Sequence, residues 1–283
     1  MDEEHKTKLP PEADALEDQA QKELAKALGG GNRKKYSRFV LASLGSIPWV
    51  GGFLAASSAI DAENEQGKVN ELTRLWLEEH KTKLEELGRT LSEIITRIEN
   101  FDQVVQDRIE SPQYLSLVRQ GFREWDQSDT QEKRDLIRRL LTNAGASTLC
   151  PDDLIRLFLD WINAYHEAHF LVIKQIYQNP GITRGSIWDR IYGARPRENS
   201  AEADLFKLLI RDLSTGSVIR QHRPTNARGQ YIKQTGKKRV TASASVMKSA
   251  FDNTEPYELT ELGTQFVHYT MEDVVMRLDN GHT

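Results

Sequence analysis

Residues 84–105 read LEELGRTLSEIITRIENFDQVV, and this stretch decides how most of the chain folds. Its apolar residues recur at alternating spacings of 3 and 4, the heptad pattern of a helix that buries one stripe against another helix. The pattern predicts one long helix from about residue 67 to residue 110. The stripe comprises Leu84, Leu87, Leu91, Ile94, Ile98, Phe101 and Val105.

A stripe of this kind needs a partner, and the sequence leaves two candidates open. One is a second copy of the chain, which would make the stripe an oligomerisation surface and the protein a homo-oligomer. The other is a helix of the same chain, because further helices are predicted at 112–126, at 129–145 and from Asp152 to about Gln178. Ser111 with Pro112 is a helix-start signal, and Asp129 or Thr130 is a second one. Residues 67–162 are therefore predicted to be a helical and coiled-coil region.

Upstream lies an uncharged segment, FVLASLGSIPWVGGFLAASSAI at residues 39–60, in a chain where 28% of residues are charged. Its length permits a membrane span, but a signal peptide, a hairpin bent around Pro48 and a buried core segment are also open. Residues 1–32 are predicted to be an acidic tail and residues 33–66 a segment that associates with anionic membrane surfaces. The membrane-associating residues would be Arg33, Lys34, Lys35, Arg38, Trp49, Phe53 and Leu54.

Charge around the segment bears on which side of a membrane the rest of the chain would lie. Basic residues precede it and acidic residues follow it, so a true span would place everything after residue 60 outside the cell. A hairpin keeps both ends on one side. We therefore expect a cytoplasmic protein at, or inserted in, the inner face of the membrane.

The last third of the chain shows a different order of signals, with three helices, a strand, a long loop, a second strand and a helix. Two stretches are distinctive, Pro180-Gly-Ile-Thr-Arg184 and Tyr257-Glu-Leu-Thr-Glu-Leu-Gly263. The region from about 163 to 279 resembles a winged helix-turn-helix domain, the second stretch matching its strand-to-helix turn. The predicted fold is therefore mainly α, with an N-terminal apolar hairpin, a long heptad helix within a helical bundle, and a C-terminal winged-helix (α+β) domain at 163–283.

The resemblance implies a nucleic-acid partner, and the predicted wing has a composition that suits one. No acidic residue occurs from Leu213 to Phe251. Lys and Arg side chains favour phosphate contacts through counterion release. The predicted third helix, residues 200–213, fits less well, because Glu202 and Asp204 would oppose phosphates in its first turn. The predicted nucleic-acid-binding residues are Arg220, Arg223, Arg228, Lys233, Lys237, Lys238, Arg239 and Lys248.

The sequence offers little that points to catalysis. Cys150 is the single cysteine, so no intrachain disulfide can form, and no phosphate-binding loop, dinucleotide fingerprint or nucleophile elbow is present. His166 and His169 are more simply helix residues than metal ligands. We expect a non-enzyme without cofactor or metal. The leading hypothesis is a nucleic-acid-binding protein with a helical oligomerisation arm and a membrane-associating segment.

Two other functions stay open. One is a membrane-acting, pore-forming or permeabilising effector, similar in layout to bacterial abortive-infection proteins, whose winged helix senses a trigger or binds a partner. The other is a helical scaffold with a protein-binding winged helix.

Overall fold

The structure is a computed structural model, and the chain forms two compact units, Met1–Asp160 with Val274–Thr283 and Trp161–Asp273. The second unit begins two residues before the domain start predicted at 163. The protein is mainly helical, with a small three-stranded antiparallel sheet near the C-terminus. The residues that the structure describes are 36–53, 71–99, 103–147, 149–223, 226, 228, 230, 232 and 249–271.

The described part of the first unit consists of helices. Residues 48–53 are also helical and follow the first of these helices after a turn at residues 45–47. The helices are α1 (Ser37–Leu44), α2 (Glu71–Glu99), α3 (Gln103–Ile109), α4 (Pro112–Gln127), α5 (Gln131–Ala146) and α6 (Asp152–Ala164), which continues into the second unit.

Local start signals set where α4 and α5 begin. The Ser111 hydroxyl accepts a hydrogen bond from the Tyr114 N–H at 3.2 Å, and Pro112 occupies the first helical position. The Thr130 hydroxyl accepts one from the Lys133 N–H at 3.4 Å. Both predicted starts are confirmed, with Thr130 rather than Asp129 as the cap. Such caps satisfy N–H groups that have no partner within the helix.

The heptad stripe is buried inside a single chain. Leu87, Leu91 and Ile94 are all 0% exposed, and α2 packs against α5. Ion pairs flank the packed faces, from Arg134 to Glu86 at 2.7 Å and from Arg138 to Glu93 at 3.1 Å. The remaining described stripe residues, Leu84, Ile98 and Val105, are buried as well. An oligomerisation role for the stripe stays a prediction, and Phe101 lies outside the described residues.

The described part of the apolar segment, residues 39–53, also lies in the helical core. The Phe39 ring, 2% exposed, lies between the rings of Tyr114 and Phe122 on α4, at centroid distances of 6.3 and 6.4 Å. The Trp49 indole N–H donates to the Asp126 carboxylate at 2.6 Å. These contacts fix both ends of residues 36–53 to α4.

Among the predicted membrane-associating residues, Arg38 is exposed, Trp49 is half-buried and Phe53 is buried. Within the described part of the chain, no helix combines the length and the apolar character needed to cross a bilayer. The membrane role of the segment stays a prediction. Arg33, Lys34, Lys35 and Leu54 lie outside the described residues.

The described part of the second unit contains four more helices and a short sheet. In chain order its elements are the end of α6, α7 (Glu167–Gln178), β1 (Ile182–Thr183), α8 (Arg184–Ile191), α9 (Ala201–Thr215), β2 (Ile219–Gln221), β3 (Pro256–Leu259) and α10 (Glu261–Met271).

The single helix predicted from Asp152 to Gln178 was wrong, because the chain leaves the helix at Tyr165. His166 adopts an extended conformation, and its backbone N–H donates to the Nδ1 atom of His169 at 3.1 Å. This side-chain bond replaces a helical one and starts α7. His166 and His169 therefore act in helix capping, and the described residues contain no group of three or more His, Cys, Asp or Glu side chains able to hold a metal.

The sheet has β3 in the middle, with β1 and β2 antiparallel on either side of it. Ile182 and Gln221 both align with Tyr257, and Arg220 aligns with Glu258. Side chains alternate between the two faces of a strand. Tyr257 and Gln221 therefore share one face of the sheet, and Arg220 and Glu258 share the other.

The stretch Leu259-Thr260-Glu261-Leu262-Gly263 makes a close turn onto β2. The Thr260 N–H donates to the Val218 carbonyl at 3.0 Å, and the Thr260 hydroxyl accepts from the Gly263 N–H at 2.9 Å. A Cβ atom at position 263 would overlap the Val218 carbonyl oxygen. The motif thus requires Thr as the cap and Gly as the residue that lets two backbones meet.

Candidate nucleic-acid interface

A groove of about 580 Å³ opens between α9 and the sheet of the second unit. Among the ten described residues that line it, half are cationic and none is acidic. The cationic lining residues are Arg184, Lys207, Arg211, Arg220 and Arg223. The others are Ile210, Ser214, Ile219, Gln221 and Tyr257.

Helix α9 supplies one wall of the groove. Lys207, Arg211 and Ser214 follow at intervals of 4 and 3 residues, which places them on one face of the helix. The Lys207 ammonium lies 3.3 Å from the Asp204 carboxylate, and the Arg211 Nε lies 3.7 Å from the carboxylate of Asp212. The two basic side chains are 41% and 72% exposed, so these ion pairs contribute little and can exchange for a ligand phosphate.

The acidic first turn of α9 does not reach the groove lining. Ser200 caps the helix, and its hydroxyl accepts from the Ala203 N–H at 3.2 Å. Hydrogen bonds from the Glu202 backbone and the Ser200 side chain hold the pKa of Glu202 below its usual range, as expected for a carboxylate at a helix start. Glu202 thus serves the helix end. The Asp204 carboxylate contacts Lys207, the first residue of α9 in the groove lining.

Arg184 and Tyr257 form the inner end of the groove. The Arg184 guanidinium donates from Nε at 2.7 Å and from Nη2 at 2.5 Å to the Tyr257 hydroxyl oxygen. Its central carbon lies 5.3 Å from the centre of the same ring. Tyr257 is 1% exposed, and the Gln221 amide also donates to its hydroxyl at 3.3 Å. Arg184 is thus held by a neutral phenol, and no carboxylate among the described residues pairs with it.

Arg220 belongs to the opposite face of β2. Its Nε donates to the Glu258 carboxylate at 2.7 Å, and the other Glu258 oxygen lies 2.5 Å from the His222 Nδ1. Burial alone would raise the pKa of Glu258, but the hydrogen bonds with His222 and Arg220 outweigh it and lower the pKa. A ligand phosphate must therefore compete with the Glu258 carboxylate for Arg220.

The structure brings together only part of the predicted nucleic-acid-binding set. Arg220 and Arg223 line the groove. Arg228 follows them in the chain and is exposed, and its backbone N–H donates to the Asn226 side chain. Lys233, Lys237, Lys238, Arg239 and Lys248 lie outside the described residues.

Sequence reasoning missed Arg184 and undervalued Lys207 and Arg211. The four-residue spacing of Lys207 and Arg211 was a usable signal, because it places two cations on one face of the helix. Nothing in the sequence linked Arg184 to this helix, since only the pairing of β1 with β3 brings it to the groove.

The lone cysteine has no feature of a reactive residue. Cys150 is 3% exposed, and burial raises the pKa of its thiol to about 11. Reactive cysteines have the opposite shift, because the thiolate is the nucleophile.

Comparison of the chain with protein-family models, with curated protein sequences and with solved structures gives no match in any of the three.

Proposed function

We propose that this chain is a non-enzymatic nucleic-acid-binding protein whose groove between α9 and the sheet contacts phosphates. The observation that carries the proposal is the convergence of Arg184, Lys207, Arg211 and Arg223 on one groove from three separate elements. Concave surfaces lined by one sign of charge concentrate oppositely charged ligands. Phosphates are the anions that clustered arginines and lysines bind best.

We further propose that residues 163–283 are a winged-helix domain. The element order supports this, since a helix, a strand, two helices, two strands and a final helix follow one another, with β3 central in the sheet. In such domains the third helix and the loop between the last two strands meet the nucleic acid. Here the third helix would be α9, and it supplies one wall of the groove.

The binding experiment uses the full chain and a fluorescein-labelled duplex of mixed sequence, with anisotropy measured over a range of salt concentrations. The double variant K207A/R211A removes two exposed cations from one wall. Each phosphate contact contributes roughly 0.9 to the slope of log K against log salt, so the slope should fall by about 1.8.

The matched control is Lys174→Ala, which removes an exposed cation from α7, away from the groove. It should leave affinity and slope unchanged. Equal effects of the control and the double variant, or no binding by the wild-type chain, would contradict the proposal.

A protein-binding role is the second candidate, and one observation favours it. Leu205 and Leu208 are 51% and 38% exposed on α9, next to each other on its outer face. Exposed leucine pairs are typical of protein contacts rather than of phosphate contacts. Sedimentation of the full chain over a concentration series tests self-association through this face. L205S/L208S should shift a dimer to monomer if the face is used, and should change nothing if it is not.

A further inference from the structure

We infer that the groove binds the sugar–phosphate backbone of double-stranded nucleic acid and does not read base sequence. This inference rests on the proposed function and narrows its ligand.

The described lining of the groove has no exposed aromatic ring on which a base could stack. Proteins that hold single strands stack bases on exposed aromatic side chains. Tyr257 is the one aromatic residue in the described lining, it is 1% exposed, and the Arg184 guanidinium covers its ring at 5.3 Å. The described lining residues therefore offer a base no exposed ring to stack on.

The second argument concerns the groups that recognise base edges. Gln and Asn side chains are the usual readers of adenine, and Arg reads guanine when both of its donors are available. Gln221 is already engaged, since its amide nitrogen donates to the Glu255 carboxylate at 2.5 Å and to the Tyr257 hydroxyl. Arg184 directs two donors into the same hydroxyl. Gln221 and Arg184 thus direct these donors toward the protein.

The third argument is the outer face of α9, the face that would enter a major groove. It presents Leu205 and Leu208, which are 51% and 38% exposed. Leucine offers no hydrogen bond to a base edge. The cations Lys207 and Arg211 lie on the groove side, four residues or about 6 Å apart along the helix.

These features leave charge as the recognition principle. A duplex presents about one negative charge per 1.7 Å of its axis, more than a single strand does. The basic groove should therefore favour duplexes over single strands and treat all duplex sequences alike.

The test measures anisotropy of the full chain with three unrelated labelled duplexes, the separated strands of each, and an RNA duplex of one sequence, all at the same salt concentration. The dissociation constants for the three DNA duplexes should agree within about threefold, far below the discrimination of sequence-specific proteins. Each single strand should bind at least about fivefold more weakly, because stacking contributes nothing. The K207A/R211A variant should weaken every duplex by the same factor, while K174A weakens none.

Each outcome has a distinct meaning. Binding to one duplex more than about tenfold tighter than to the others, or tighter binding of single strands, would overturn the inference and leave the proposed function standing. Absence of binding to every probe would overturn both. The RNA duplex tests whether the 2′-hydroxyl contributes to recognition. Equal affinity for the DNA and RNA duplexes supports recognition by charge. A strong preference for RNA points to the 2′-hydroxyl and contradicts recognition by charge.

Discussion

Replacement of Phe39 by alanine tests whether the apolar segment belongs to the helical core in solution. The Phe39 ring is 2% exposed and lies within 6.3 and 6.4 Å of the rings of Tyr114 and Phe122. Truncating a buried phenylalanine costs about 3 to 5 kcal/mol, because transfer energy is lost and a cavity remains. The free energy of unfolding should fall by that amount.

Urea unfolding followed by far-ultraviolet circular dichroism measures the loss. With a denaturant slope of about 3 kcal/mol per M for a unit of this size, the midpoint of the transition should fall by roughly 1 to 1.7 M. Leu41→Ala is the matched control on the same helix, since Leu41 is 38% exposed. A surface substitution of this kind should stay within about 0.5 kcal/mol of the wild type.

The reasoning would be refuted by a Phe39→Ala midpoint that equals the Leu41→Ala midpoint. That result would mean that residues 36–53 are not packed on α4 in the soluble protein. It would favour the membrane-acting hypothesis, which needs the segment to be available for a bilayer. A large loss for Phe39→Ala alone would mean that any membrane insertion must first break these contacts.

Three further predictions concern the second unit and the cysteine. Gly263→Ala should lower the free energy of unfolding by about 1 to 3 kcal/mol, and the melting temperature with it, because the new Cβ atom would overlap the Val218 carbonyl oxygen. A melting curve like that of the wild type would disprove this close approach. In the folded chain, Cys150 should react with a thiol reagent near neutral pH about 100-fold more slowly than in the urea-unfolded chain, because burial raises its pKa from 9.0 to about 11. Equal rates in the two states would show that the thiol is accessible. Burial lowers the pKa of His169, although the Asp212 carboxylate opposes this shift. The unfolded state therefore binds more protons below about pH 6.5, and the free energy of unfolding should fall from pH 7 to pH 5. His169→Gln should flatten this pH dependence, and an unchanged slope would assign the dependence to other groups.

The helices could be predicted from sequence wherever the information is local. Ser111 and Thr130 cap their helices because a hydroxyl needs only the N–H three residues on. The heptad stripe likewise predicted that one face of the helix is buried. The stripe does not predict which helix covers this face, because the spacing of Leu87 and Leu91 is the same whether the partner lies in the same chain or in a second copy.

The break at Tyr165 could not be predicted, because neither glycine nor proline marks it. It depends on a bond from the His166 N–H to a histidine ring, and histidine is not a common cap. The groove was only partly predictable for a different reason. Arg184 and Lys207 are distant in the chain, and the register that pairs Thr183 with Pro256 is what brings Arg184 beside Tyr257.

We propose that the groove of the second unit binds nucleic acid through phosphate contacts. The salt dependence of duplex binding by the intact wild-type chain, between about 50 and 200 mM salt, tests this most directly. Four cations, Arg184, Lys207, Arg211 and Arg223, predict a slope of log K against log salt of about −3.6 or steeper. A slope near zero, or no binding at the lowest salt concentration, would contradict the claim.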